Sequence, residues 1–225
     1  MLATSTPPSD AITVERFTVA QNNGRLDQLV ECYRAVFAGH PWNEWRVCPV
    51  CRKKWGISER QLLGDSFEHC GVLVNDYWPA SKVLSDIRHE ITEKASCWVT
   101  ILNNNVIGFC WGYPTPLAGF DEKLGLPGAA HAIRSAFGDA ELVAYQDELG
   151  VLEAYRGRGL AKAMYLARRQ DFLSQGLTIG TVRTKRTPPS VTYSWFVNKG
   201  YKVVAEYHDA DDKVILASNI DELQM

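Results

Sequence analysis

The sequence has no run of about 18 apolar residues, so no helix that crosses a bilayer is expected. Charge of one sign is scarce as well: 24 lysines and arginines stand against 26 acids, a formal net charge of −2 with a pI near 6.2. That balance gives no broad electrostatic reason to bind nucleic acid or an anionic membrane, and any anion site has to be local. No internal repeat or low-complexity segment is evident. The N-terminal MLATSTPPSDAIT has neither a basic n-region nor an apolar h-region, so a cytoplasmic location is expected. There the six cysteines should serve as reduced thiols or metal ligands rather than disulfides. A chain of 225 residues with 46% hydrophobic and 11% aromatic content can build a sizeable core. One domain over residues 1–225, with an insertion at about 40–95, is expected.

The elements alternate. Residues 11–20, AITVERFTVA, read as a strand, and Leu26, Leu29, Tyr33 and Phe37 recur at helical spacing up to Gly39. From His40 to about Ala95 the pattern breaks: Trp42, Trp45 and Trp55 crowd around a CxxC, with weaker helical pieces such as Ser81 to Glu93. CWVTILNNNVIGFCWGYP reads as a hairpin about Asn103 to Asn105, residues that tolerate positive φ. After a Pro/Gly-rich region (Pro114 to Gly128) and a helical piece near Ala129 to Phe137, ELVAYQDELGVLEA reads as a strand. A helix follows over 160–175, with Leu160, Ala163, Met164, Ala167 and Leu173 available to pack. A strand (Leu177 to Arg183), a helix starting at Thr187-Pro188, and a hairpin through Lys202 to Val204 and Val214 to Ala217 complete the chain.

Between the strand ending near Val151 and the helix beginning at Leu160 lies EAYRGRGLAK. Glycines let backbone approach a ligand closely, and the unpaired N–H groups of a helix's first turn face outward where the macrodipole favours an anion. Arg156 and Arg158 add positive charge at the rim. A diphosphate fits this description.

Val151 to Ala161, VLEAYRGRGLA, resembles the acyl-CoA binding segment of the GNAT superfamily of N-acetyltransferases, in which Arg or Gln is followed by two residues, Gly, one residue, and Gly or Ala. Arg156, Gly159 and Ala161 fill that pattern; Val151, Tyr155 and Gly157 match its flanks, while Glu153 and Ala154 replace the usual proline and acidic residue. The resemblance implies an α/β (α+β) fold with a mixed, centrally splayed β-sheet flanked by helices, covering residues 11–39 and 96–219. It implies acetyl-CoA as cosubstrate, with the Val151 backbone on the pantetheine and the amides of Arg156, Gly157, Arg158, Gly159, Leu160 and Ala161 on the pyrophosphate.

Acetyl transfer to an amine needs a deprotonated amine, a polarised carbonyl and a proton for the departing thiolate. In several GNAT enzymes a base lies nine or eleven residues before the motif's first Arg or Gln, which here are Asp147 and Tyr145. Side-chain alternation puts both on one strand face, and Asp147 is the better base, with Glu148 replacing it if a bulge shifts the register. Many relatives place an acidic tyrosine four residues before a Gly-aromatic pair; Gly200-Tyr201 matches the pair, but Phe196 occupies the tyrosine position. Tyr193, one helical turn earlier, is the alternative acid, with Ser190 another turn back. Pro188-Pro189 suits a helix start capped by Thr187.

WRVCPVCRKKWG carries a separate signal. Cys48 and Cys51 offer two thiolates to one tetrahedral zinc, and four ligands are needed. His69 or Cys70 downstream, and His40 or Cys32 upstream, are candidates for the others, while Cys97 and Cys110 sit in strand-like runs as small apolar residues. One structural zinc stapling the insertion is expected. Two functions follow: an acetyl-CoA-dependent N-acetyltransferase acting on a small-molecule, peptide or protein amine, or a non-catalytic acyl-CoA-binding or zinc-bearing interaction module. The Trp-rich insertion and the Pro114 to Gly128 segment would wall the acceptor side. No nucleic-acid or membrane partner is expected, and monomer and dimer are both open.

Overall fold

The computed structural model describes residues 11–21, 24–187, 190–208 and 212–222. In chain order the elements are β1 (Thr13–Arg16), α1 (Arg25–Ala38), β2 (Arg46–Val47), β3 (Lys54–Trp55), α2 (Arg60–Leu63), β4 (Glu68–His69), β5 (Val72–Leu73), β6 (Asn75–Asp76) and α3 (Ala80–Glu90). They continue with β7 (Ser96–Leu102), β8 (Asn105–Pro116), α4 (Phe120–Leu124), α5 (Ala129–Phe137), β9 (Leu142–Val151) and α6 (Leu160–Ser174). The last are β10 (Ile179–Lys185), α7 (Val191–Val197), β11 (Lys202–Glu206) and β12 (Lys213–Asn219). Seven strands hydrogen-bond in the order β1-β7-β8-β9-β10-β12-β11. The sheet is mixed: β1–β7, β10–β12 and β11–β12 are antiparallel, whereas β9–β10 is parallel.

The parallel pair is short. β9 and β10 register only at Ala144–Gly180 and Tyr145–Thr181 among the described residues, although β9 runs on to Val151 and β10 to Lys185. Beyond these pairs the two strands part. This is the central splay expected from the sequence.

The chain forms two compact units. The first holds the described residues up to His89, Cys97–Cys110 and Leu149–Tyr165. In it α1 buries Leu26, Leu29, Val30, Tyr33, Val36 and Phe37, the stripe its 3–4 spacing dictates. Tyr33 stacks on Phe109 of β8 with ring centroids 5.5 Å apart. Gly150 is required beside this contact: a side chain there would come within 2.5 Å of Phe109 and 2.8 Å of Val36. The Trp-rich segment forms a three-stranded sheet, β3-β2-β6, and a β4–β5 hairpin. Polar clamps tie it to α1, since Asp76 pairs with both Arg34 and Arg46, and Arg34 Nε donates to the Trp78 carbonyl at 2.9 Å. Buried Glu44 accepts from Lys54 and from the Trp78 indole at 3.0 and 2.9 Å.

The second unit holds Glu90–Ser96, Trp111–Glu148 and the described residues from Leu166 onward. Its core joins Phe120, Leu124 and Ile133 from α4 and α5 to Val143, Tyr145, Ile179, Ile215 and Ala217 from the strands. Asp121 caps α5 from outside the helix, accepting from the Gly128 and Ala130 amides at 2.7 Å each.

Two expectations change in detail. The buried stripe of α6 is Met164, Tyr165, Arg168 and Phe172, and Ala163 is exposed, because the helix turns the larger side chains inward. Ser190, not Thr187, caps α7 by accepting from the Tyr193 amide at 2.9 Å, while Thr187 donates to Asp212. Pro188 and Pro189 lie outside the described residues. Cys97 and Cys110 are fully buried as apolar residues. Among the described residues no helix is long and apolar enough to cross a membrane.

Candidate active site

The loop between β9 and α6 belongs to the first unit. Gly157 and Gly159 adopt φ of 76° and 77°, a left-handed conformation that L-residues with a Cβ resist. Nothing lies within 4 Å of where a Cβ would stand at either residue. These glycines therefore meet a backbone requirement and leave open space beside it. The first α6 amide with a helical acceptor is Ala163, which donates to the Gly159 carbonyl at 3.0 Å. The amides of Leu160, Ala161 and Lys162 precede it and have no acceptor within the helix, the usual state of a first turn. Loop, amides and dipole together make an anion cradle.

The two arginines do more local work than their charge implies. Arg156 Nε donates to the Val151 carbonyl at 3.0 Å and its Nη1 to the His40 carbonyl at 3.2 Å. It thus folds the loop back on the end of β9. Arg158 lies over the Tyr155 ring, 5.4 Å from its centroid, and Nη2 reaches the Ala154 carbonyl at 3.4 Å. Val151 itself is buried with Cys110 and Met164, and Leu160 and Ala161 pack against them.

Asp147 lies on β9 in the second unit, half-buried. Its Oδ2 accepts a 2.6 Å hydrogen bond from the Tyr113 hydroxyl, which in turn accepts from Lys123 Nζ at 3.0 Å. The Lys123 ammonium also stands over the Tyr113 and Tyr145 rings, 4.8 and 5.0 Å from their centroids. Burial, followed by the charge of Asp147 and its hydrogen bond, pushes the Tyr113 phenol well above its ordinary range, so it acts as a donor to the carboxylate. Burial, and then Asp147, raise Tyr145 likewise. Tyr145 is a core residue, edge-on to Phe120, whereas Asp147 is the partly accessible member of the pair.

Both neighbours of Asp147 are held from α6. Arg168 is 1% exposed, and its Nη1 donates to the Trp111 and Glu148 carbonyls at 2.7 and 3.0 Å. Nη2 donates to Gln146 Oε1 at 2.9 Å, and Gln146 Nε2 reaches the Tyr201 hydroxyl at 2.6 Å. Tyr201 belongs to the Gly-aromatic pair and packs edge-on against Phe196, which is buried. Tyr193, one turn away on α7, is half-buried. Sequence reasoning missed Tyr113, Lys123 and Arg168. The signal for Arg168 was present, since it falls four residues from both Met164 and Phe172 on the apolar stripe of α6.

Of the candidate metal ligands, Cys48, Cys51 and Cys70 come together, with sulfurs within 4.8 Å of one another. The other candidates stand apart from this group. The His69 ring is edge-on to Trp55 at 5.1 Å, and its carbonyl, not its imidazole, faces Cys48 Sγ at 3.8 Å. His40 offers its carbonyl to Arg156. Cys32 is buried in α1, where burial pushes its thiol up to about 12.

No curated protein sequence matches the chain. Among solved structures it is similar to the PaiA N-acetyltransferase from Thermoplasma acidophilum in complex with coenzyme A, at 15% identity and TM-score 0.52, over 93% of this chain and 99% of that one. An aminoglycoside 6'-N-acetyltransferase complexed with coenzyme A matches at 12% identity and TM-score 0.53, over 92% and 97% of the two chains. The NatC complex bound to Gag peptide and CoA matches at 12% identity and TM-score 0.51, over 92% and 98%. At these identities the likeness speaks for the fold. The model of the acetyltransferase (GNAT) family matches residues 60–189, more than half of the sequence, and its range takes in β8, β9, the glycine loop and α6. With the strand order, the splay and the glycine loop, that match places this chain in the GNAT acetyltransferase family.

Proposed function

We propose that the protein is an acetyl-CoA-dependent N-acetyltransferase. The observation that carries this reading is the glycine cradle after β9, on a strand that also bears Asp147 four residues before Val151. The first-turn amides of α6 would hold the pyrophosphate, and the backbone at Val151 the pantetheine arm.

The chemistry follows from the groups present. The amine nitrogen attacks the thioester carbonyl carbon, the C–S bond breaks, and the thiolate leaves. Asp147 takes the amine proton through the oxygen that Tyr113 does not engage, while Tyr113, itself held by Lys123, orients the carboxylate. Tyr193 is the proposed proton donor to the thiolate, since the buried Phe196 cannot serve. A thiolate is a good leaving group, so this step needs less help than alkoxide departure would. The acceptor is an amine of a small molecule or a peptide; similar structures include an aminoglycoside acetyltransferase and a peptide-bound complex.

Phe196 favours a second reading, a module that binds acyl-CoA without turnover. Thiol release from acetyl-CoA, measured against a panel of aminoglycosides, polyamines, amino acids and peptides, separates the two. Acceptor-dependent release supports the enzyme; coenzyme A binding by calorimetry with no release across the panel supports the module.

A further inference from the structure

We propose that the Trp-rich segment binds one zinc ion through the thiolates of Cys48, Cys51 and Cys70, with a water molecule completing the tetrahedron. This inference is independent of acetyl transfer.

Two turns deliver the sulfurs. Cys48 and Cys51 lie on the turn between β2 and β3, and Cys70 on the turn of the β4–β5 hairpin. Each turn contains residues in the left-handed region, Arg52 at φ 63° in the first and Cys70 and Gly71 at φ 52° and 73° in the second. The first turn points backbone at its sulfur: the Val50 and Cys51 amides donate to Cys48 Sγ. Three sulfurs from the two turns then lie within 4.8 Å of one another. Zinc–thiolate bonds of about 2.3 Å in a tetrahedron set sulfurs about 3.8 Å apart, so the three need to close by no more than about 1 Å.

The donor set selects the metal. Three sulfurs suit a soft or borderline ion and not magnesium or calcium, which take oxygen ligands. On binding, three S–H bonds give way to three Zn–S bonds and three protons pass to solvent, leaving a site with one net negative charge. Arg52 and Lys53, beside Cys51 in sequence, supply compensating positive charge.

The segment also needs a staple. Its strands β2 to β6 are two residues each, and the core cluster around Cys48 consists of Cys48, Trp55 and Val74 with partial cover from Trp45, Leu63, Phe67 and Val72. Phe67 lies three residues before Cys70, where a second CxxC would place its first thiol, and it packs into this core edge-on to Trp55 at 5.0 Å. The His69 ring is occupied against the same tryptophan. Hence the fourth donor is water.

The test uses the purified full-length protein. Elemental analysis should give about one zinc per chain, falling to near zero in Cys48→Ser, Cys51→Ser and Cys70→Ser and unchanged in His69→Ala and Cys32→Ser. The cobalt-substituted protein should show sulfur-to-cobalt charge-transfer absorption, and added imidazole should shift its ligand-field bands by displacing the water. Chelator treatment of unaltered protein gives a readout independent of variant folding: zinc loss should increase proteolysis between residues 40 and 79. A metal-free wild type, iron in place of zinc, retention of zinc in Cys70→Ser, loss of zinc in His69→Ala, or cobalt bands insensitive to imidazole would each overturn the assignment.

Discussion

Arg168→Met removes a buried cation while keeping most of the stem volume, and its consequences follow from three contacts. The Trp111 carbonyl, the Glu148 carbonyl and Gln146 Oε1 each lose a hydrogen bond of 2.7 to 3.0 Å. A hydrogen bond from a charged donor contributes about 1.5–3 kcal/mol, so losing the three together costs about 5–9 kcal/mol. Against this stands the several kcal/mol of desolvation that the guanidinium no longer incurs. The expected net loss is about 3 kcal/mol, which for a chain of this length lowers Tm by about 6–12 °C. Turnover should fall as well, because Gln146 and Glu148 flank the proposed base and both are held by Arg168. Acetyl-CoA affinity should change little, since the glycine loop keeps its own hydrogen bonds. Lysine at this position cannot reproduce a planar fork to several acceptors and should recover only part of the stability. The assay pairs calorimetric melting with thiol release and with calorimetric titration of acetyl-CoA. An Arg168→Met protein with unchanged Tm and unchanged kcat would refute the positioning role.

Gly159→Val should weaken acetyl-CoA binding by about tenfold or more in calorimetry, because a β-branched residue costs about 1–2 kcal/mol at a left-handed φ and fills space beside the first-turn amides. Its melting temperature should fall by about 2–8 °C, since the left-handed backbone is strained for any side chain even though nothing lies within 4 Å of the new Cβ. Asp147→Asn should lower kcat by roughly 10²-fold at neutral pH with acetyl-CoA affinity retained, and full activity across pH would show that a solvent-deprotonated amine reacts without a base. Tyr193→Phe should lower kcat by about tenfold, less than a dedicated acid usually contributes because a thiolate leaves readily. Unchanged thiol release in that variant would remove Tyr193 from the mechanism.

Local signals alone determined much of this protein. Alternation marked β1 and helical spacing marked α1, because each must bury one face, and the Asn103 to Asn105 turn marked the β7–β8 hairpin. The glycine loop was equally legible: closely spaced glycines before an apolar helix report a backbone demand that needs no distant partner. So too was the pairing of Cys48 with Cys51, which is a matter of one turn. Tertiary structure decided what depends on residues far apart in sequence. It brought the Cys70 sulfur to within 4.8 Å of those of Cys48 and Cys51 while setting the neighbouring His69 ring edge-on to Trp55. It set Tyr113 on Asp147, 34 residues away, and Lys123 on the Tyr113 hydroxyl, and no spacing rule links a strand, a short helix and a second strand. It also made Arg168 a buried brace: the stripe of α6 showed that this arginine would face inward, but only the Trp111 and Glu148 carbonyls of β8 and β9 explain why a cation is stable there.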